Sequence, residues 1–310
     1  MGYPGIQATG TSIKQNEFNW GVQFYTISEL VHEFHPDVIF FMMDLAVEAS
    51  ALGLPVRFPL LESPTVEYHL VKEAGDLSQF MSCDVLKDGR AAAYIETMKL
   101  MAKHLEPTPG AYCTGPFTLA GLMMGANEIA LTTVLDPELV HRVLEVATSV
   151  IIRYVRALSK AGAKVVAVLE PTAVMLSPDA FWDFSGRYVR EIFAAVPHSA
   201  PVLHICGHSG HLLPRMVETL AEGLSLDSVV DFPAAARALP PDVVLIGNVD
   251  PVGVVRDGTR GDVREAVRRL CESMRPHRNF ILSTGCDLPP DTPLENIGAF
   301  MEAGREFGRL

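Results

Sequence analysis

Cysteine is scarce in this sequence: five in 310 residues, an odd number, widely spaced. Such a set cannot form a disulfide framework, and with no export signal it reads as reduced thiols in a cytoplasmic protein. Long apolar runs are also missing. The longest, Val38 to Met43, falls far short of the roughly 20 residues a membrane helix needs. The opening Met1-Gly2-Tyr3-Pro4-Gly5 has neither a basic n-region nor an apolar h-region, so no signal peptide is expected. Basic residues are outnumbered, 25 Lys plus Arg against 37 Asp plus Glu, for a net charge of −12. Nucleic acids and anionic membranes both reward a basic surface, so neither is an expected partner. There is no GxGxxG motif, no Walker A motif, no low-complexity linker and no internal repeat. Gly207-His208-Ser209-Gly210 is at best a poor phosphate loop.

What remains is a globular composition, 48% apolar and 20% charged. With no marked boundary, residues 1–310 are expected to form a single domain. Short β-rich runs alternate with helical patterns in the second half. Lys164 to Leu169, Pro201 to Ile205, Asp242 to Ile246 and Asn279 to Leu282 suit strands buried on both faces, as in a parallel sheet. Asp37 to Asp44 and Gly110 to Cys113 add two earlier strands, Leu224 to Asp227 a short later one, and Gly5 to Ala8 a first. Helices are announced by Asp136-Pro137, by Ser177-Pro178-Asp179, and by Thr292-Pro293-Leu294-Glu295, which reads as a capping box. Strand then helix, eight times over, predicts an α/β fold: a (β/α)8 TIM barrel, with an insertion or cap over its mouth in Leu45 to Leu105. The alternative is an open doubly wound sheet.

Reacting groups in such a barrel sit where the strands end. The strand ends here offer Asp44 (with Glu48 a turn on), Cys113, Glu170, His204 and Cys206, Asp250, and Cys286 with Asp287. His204 and Cys206 are two apart, so on a strand they point to one face. Cys286 is distant in the chain but opens onto the same rim. A lone Cys is most often a small buried hydrophobe; one imidazole and two thiolates on one rim form a three-ligand set for Zn²⁺ with a fourth position open. Sulfur ligands disfavour Mg²⁺, Ca²⁺ and Mn²⁺. His208, His211 and Cys113 are competing ligands, and Cys83 and Cys271 receive no role. A zinc held by two thiolates activates water poorly and a substrate thiol well, which points to alkyl transfer to sulfur.

At these residues the chain resembles the uroporphyrinogen decarboxylase superfamily, and more closely its methylcobamide:coenzyme M methyltransferase branch. The matching pieces are His204-Ile205-Cys206-Gly207, Ile246-Gly247-Asn248-Val249-Asp250-Pro251 and Gly285-Cys286-Asp287-Leu288-Pro289-Pro290, together with Thr114-Gly115-Pro116-Phe117-Thr118 and the looser Asp44 to Gly53. The resemblance implies that His204, Cys206 and Cys286 are zinc ligands. Glu170 stands where the family often has an acidic residue before Pro, as a fourth ligand, a base, or a carboxylate that supports the site or a helix end. Asp250 and Asp287 would position the rim or a substrate, with Asp44 a weaker candidate. The implied reaction moves a methyl group from a methylated corrinoid, carried on a corrinoid protein, to a small thiol such as coenzyme M. A folate acceptor, a tetrapyrrole decarboxylase and a non-catalytic corrinoid-binding protein are the alternatives. The decarboxylases carry an Arg-Gln-Ala-Gly-Arg segment that this sequence lacks, and Arg57, Arg187 and Arg215 form no cluster in the sequence.

Overall fold

The computed structural model describes residues 2–308. Seven parallel strands form its main sheet: β1 (Val38–Phe40), β4 (Thr108–Thr114), β5 (Val165–Leu169), β6 (Ala200–Ile205), β7 (Gly223–Leu226), β8 (Val244–Val249) and β9 (Phe280–Thr284), hydrogen-bonded in that order. Between β1 and β4, β2 (Val56–Arg57) and β3 (Thr65–Val66) make a two-residue antiparallel hairpin. The order of the main sheet never reverses, which excludes the doubly wound alternative, whose order turns back at a switch point. β5 shows what a strand covered on both faces requires: Val166, Ala167, Val168 and Leu169 are all apolar and buried.

Seven of the eight expected strands are present, and the first is corrected. Gly5–Thr9 is a short helix, ended by Gly10 in the left-handed region at φ 63°. It folds so because it packs rather than pairs. Ile6 joins Tyr3, Ile13 and Met42 in a small core, and a Cβ on Gly5 would crowd Thr26 and Leu30 of the helix Trp20–Phe34. Among the described residues β1 and β9 are both edges, not joined to each other, so the sheet is curled rather than a closed eight-stranded barrel. Both edge strands nevertheless line one cavity of about 380 Å³.

The segment expected as an insertion or cap holds the hairpin, two 3₁₀ turns, and the helices Val47–Ala51 and Gly89–His104. None of its residues lines the cavity. The helix Pro137–Ala161 follows the sequence pattern closely. Asp136 caps it by accepting from Leu139 N at 3.1 Å, and Val140, Leu144, Ala147, Ile151 and Val155 are buried along one stripe. Each of its larger side chains contributes about 1.5–3 kcal/mol of burial before entropy. Ser177 caps the next helical stretch through Ala180 N, and that stretch widens into a π turn over Trp182–Gly186 before Arg187–Ala194. The capping box at Thr292 is not formed. The helix begins at Leu294 after Pro293, and the Thr292 hydroxyl donates backwards to the Pro289 carbonyl at 2.7 Å.

No single helix among the described residues is long and apolar enough to cross a membrane. The pair Pro116–Met124 and Ala126–Leu135 passes on length and composition together, but it is bent by 101°, and nearly every residue of its first half is buried.

Candidate functional site

β6 and β9 bring the distant sulfur and imidazole residues together. His204 lies near the end of β6, Cys206 one residue beyond it, and Cys286 two residues past β9. Cys286 Sγ stands 3.9 Å from His204 Nε2. The two thiols influence each other's titration. Their interaction draws Cys206 below the ordinary thiol range, against its burial, and together with burial pushes Cys286 up. On the other side of the ring, His204 Nδ1 lies 2.9 Å from Ser225 Oγ. With Nδ1–H donated to that hydroxyl, Nε2 presents its lone pair towards Cys286. Among the described residues no three His, Cys, Asp or Glu side chains are closed tightly enough to hold an ion as they stand. His204, Cys206 and Cys286 are linked in two steps, thiol to thiol and thiol to ring, and all three remain partly exposed. Two thiols with an imidazole held by a hydroxyl at its other nitrogen are a donor set of the right chemistry for Zn²⁺.

The cavity reaches two members of this group, His204 and Cys286. His204, Ser225, Cys286 and Asp287 line it, together with Tyr112, Ala167, Leu169, Val202 and Ile246. Among its described lining residues there is no Lys or Arg; its carboxylates are those of Asp37, Glu222 and Asp287. Asp287 accepts from Leu288 N at 3.0 Å.

The other sequence candidates lie elsewhere, and none of them lines the cavity. Glu170 is fully buried and accepts from Thr118 N at 3.0 Å, at the N-terminus of the helix Pro116–Met124. Burial is the chief cause of a pKa raised to about 8, opposed by backbone N–H groups of Thr118 and Phe117. A Cβ on Gly115 would overlap its carboxylate, so glycine is required there. Asp250 accepts from Val252 N (2.9 Å) and Gly253 N (3.0 Å), capping the turn Pro251–Arg256. Asp44 is buried in an ion pair with Arg90, accepts from Ala46 N at 2.7 Å, and meets the Tyr94 hydroxyl at 3.4 Å. Arg90 is itself held over the rings of Phe58 and Phe18. Cys113 is buried, and its thiol is pushed well up by burial. Both ring nitrogens of His211 face carbonyls, of His208 and Leu176, at 3.0 Å.

One contributor escaped the sequence reading. Asp227, just beyond β7, accepts from Gly207 N at 2.8 Å. Although burial raises it, hydrogen bonds from Gly207, Val229 and Ser228 and the nearby His204 ring hold its carboxyl below the usual range. The signal was available: Ser225-Leu226-Asp227 repeats, on the neighbouring strand, the two-residue spacing of His204-Ile205-Cys206.

The chain matches the family described as Uroporphyrinogen decarboxylase (URO-D) over residues 22–307. It belongs to that family. Its relatives divide between two activities at similar distance. A uroporphyrinogen decarboxylase of Prochlorococcus marinus (strain MIT 9312) is 25% identical over 320 residues, covering 98% of this chain and 90% of the relative. The methylcobamide:CoM methyltransferase MtbA of Methanosarcina acetivorans is 27% identical over 272 residues, covering 85% and 78%. Among solved structures, a methyltransferase from Methanosarcina mazei superposes with a TM-score of 0.90 at 23% identity, over 99% of this chain and 91% of its own. That likeness establishes the fold.

Proposed function

We propose that this protein is a zinc-dependent methyltransferase that moves a methyl group from a methylated corrinoid, presented by a corrinoid protein, to a small thiol. The observation that supports this reading is the meeting of His204, Cys206 and Cys286 at strand ends above a cavity. Zinc held there would supply a Lewis acid that favours the thiolate of the acceptor at neutral pH. His204 offers Nε2 because its Nδ1 is engaged by the Ser225 hydroxyl. Cys206 and Cys286 offer soft sulfur, which suits a thiol acceptor better than water. The apolar walls contributed by Leu169, Val202 and Ile246 hold the acceptor's carbon chain and keep water from the sulfur. Asp287, on the cavity wall, positions the acceptor; Glu170 and Asp250 shape the strand ends behind it. The acceptor sulfur attacks the methyl carbon, the carbon–sulfur bond forms, and the cobalt–carbon pair of electrons stays with the corrinoid.

Decarboxylation of a tetrapyrrole bearing several carboxylates fits less well. Such a substrate needs cations to match its charge, and the described lining has no Lys or Arg.

The test is metal analysis paired with demethylation of methylcobalamin, followed by absorbance across 2-mercaptoethanesulfonate, homocysteine and 2-mercaptoethanol. Stoichiometric zinc and a thiol-dependent spectral change are expected. Both should be lost in Cys206→Ala and Cys286→Ala. Metal-free protein that decarboxylates uroporphyrinogen would overturn the reading.

A further inference from the structure

We infer that the end of β7, Ser225 with Asp227, is the positioning element of the site: it touches neither the acceptor sulfur nor the ion, and it fixes the direction in which all three proposed ligands point. The inference rests on the zinc reading above; it joins Ser225 to Asp227, which that reading leaves idle, as one element.

β7 lies beside β6, with His204 opposite Ser225 in the register. Its two polar side chains, two residues apart, act on the two ligands of β6 separately. Ser225 Oγ, 2.9 Å from Nδ1, sets the tautomer and rotation of the His204 ring. Asp227 Oδ2 accepts from Gly207 N at 2.8 Å. Gly207 follows Cys206 directly and has φ +76°, in the left-handed region, so this bond pins the turn that aims the Cys206 thiol. The same strand end also sets the third ligand. A Cβ on Gly285, the residue before Cys286, would run into Ser228 N and the Asp227 carbonyl carbon. The β9 loop therefore rests directly on the backbone of Asp227-Ser228. That backbone is held in turn by Asn248, whose Nδ2 donates to the carbonyls of Asp227 (3.1 Å) and Val230 (2.7 Å). Thr284 Oγ1 donates to the Cys286 carbonyl at 2.7 Å. Three ligands from two strands thus refer to one turn. Outer contacts of this kind are worth roughly 10- to 100-fold in metal affinity.

The experiment uses the full chain, purified, stripped of metal and reloaded with Co²⁺ or Zn²⁺. The readouts are the thiolate-to-cobalt and d–d absorption bands, and Zn²⁺ affinity by competition with a chromophoric chelator. Thermal midpoints are measured alongside. Asp227→Ala and Ser225→Ala are each expected to weaken Zn²⁺ binding roughly 10- to 100-fold and to alter the cobalt d–d bands. Ser225→Thr, which keeps the hydroxyl, should restore both. Asp227→Asn, which keeps an acceptor for Gly207 N, should fall between wild type and Asp227→Ala, and it serves if the alanine variant folds poorly. A purely structural turn would lower the thermal midpoint and leave spectrum and affinity as in wild type; that result overturns the inference while Cys286→Ala, losing the metal, upholds the zinc reading. If the wild-type protein itself shows no thiolate-to-cobalt band, the zinc reading falls and takes this inference with it.

Discussion

Three carboxylates inside this protein sit where a charge is poorly tolerated. Glu17, Glu48 and Glu170 are fully buried. Burial is the first cause in each case of a raised pKa, to about 7 for Glu17 and Glu48 and about 8 for Glu170. Arg90 and Lys14 oppose the shift at Glu17; at Glu48 the backbone N–H and hydroxyl of Thr114 do so at 3.0 and 3.1 Å. A carboxyl whose folded pKa lies above its unfolded one binds its proton more tightly in the folded state. Its stabilisation is complete below the unfolded value, near 4.5, and is lost as pH rises through the folded value. Chemical denaturation should therefore show stability falling between about pH 4.5 and 8. Glu48→Gln and Glu170→Gln, neutral at every pH, should each flatten that fall. Slopes in both variants equal to wild type would show that these groups are already ionised at low pH. None of this was legible in the sequence, because an isolated glutamate in a strand or helix gives no sign of whether water reaches it.

The elements themselves were more legible than their ends. The buried strands announced themselves because a sheet covered on both faces needs unbroken runs such as Val165-Val166-Ala167-Val168-Leu169. The helix after Asp136 was equally plain from its apolar period and its cap. The misses are local competitions that pattern alone cannot decide: Gly5–Thr9 packs as a helix, and Thr292 turns its hydroxyl back to Pro289 rather than forward to Glu295. At the site, His204, Cys206 and Cys286 were readable because strand spacing and strand ends carry chemistry. Asp227 showed only its spacing from Ser225, since its partner is a backbone N–H, which has no letter in the sequence. Glu170 illustrates how two elements constrain each other. The residue after β5 places its carboxylate where a side chain at Gly115, after β4, would have to be. Gly115→Ala should be strongly destabilising, while Glu170→Ala opens space and should tolerate the added methyl. Urea unfolding of the two single variants and the double should then be non-additive by more than about 0.5 kcal/mol, the double being more stable than the sum predicts. Additive costs would mean that Gly115 is constrained by something other than that carboxylate.

For the molecule as a whole, the consequential feature is the edge between β1 and β9. The strand order runs in one direction and curls, so the two outer strands line the same cavity without being hydrogen-bonded to each other among the described residues. Eight strand–helix units were expected from the sequence; the count fell by one because the first stretch packs against the helix Trp20–Phe34 rather than extending beside β1. In a parallel ladder, alternate amides of an edge strand point at its neighbour and the rest point outward. Gly285 N donates to the Val249 carbonyl, so by alternation Ile281 and Ser283 face β8 while Leu282 and Thr284 face the open side. Likewise Thr108 N donates to the Asp37 carbonyl, which turns the Ile39 amide to β4 and leaves those of Val38 and Phe40 outward. Amide hydrogen exchange read residue by residue should therefore split each edge strand. Leu282, Thr284, Val38 and Phe40 should exchange fast; Ile281, Ser283 and Ile39 should exchange more slowly; and Val166 to Val168, in the covered centre of the sheet, should be slowest, approaching the global unfolding limit. Protection of Leu282 and Val38 equal to that of Ile281 and Ile39 would mean that both edges are paired in solution, and the curled sheet would then have to be redrawn as a closed one.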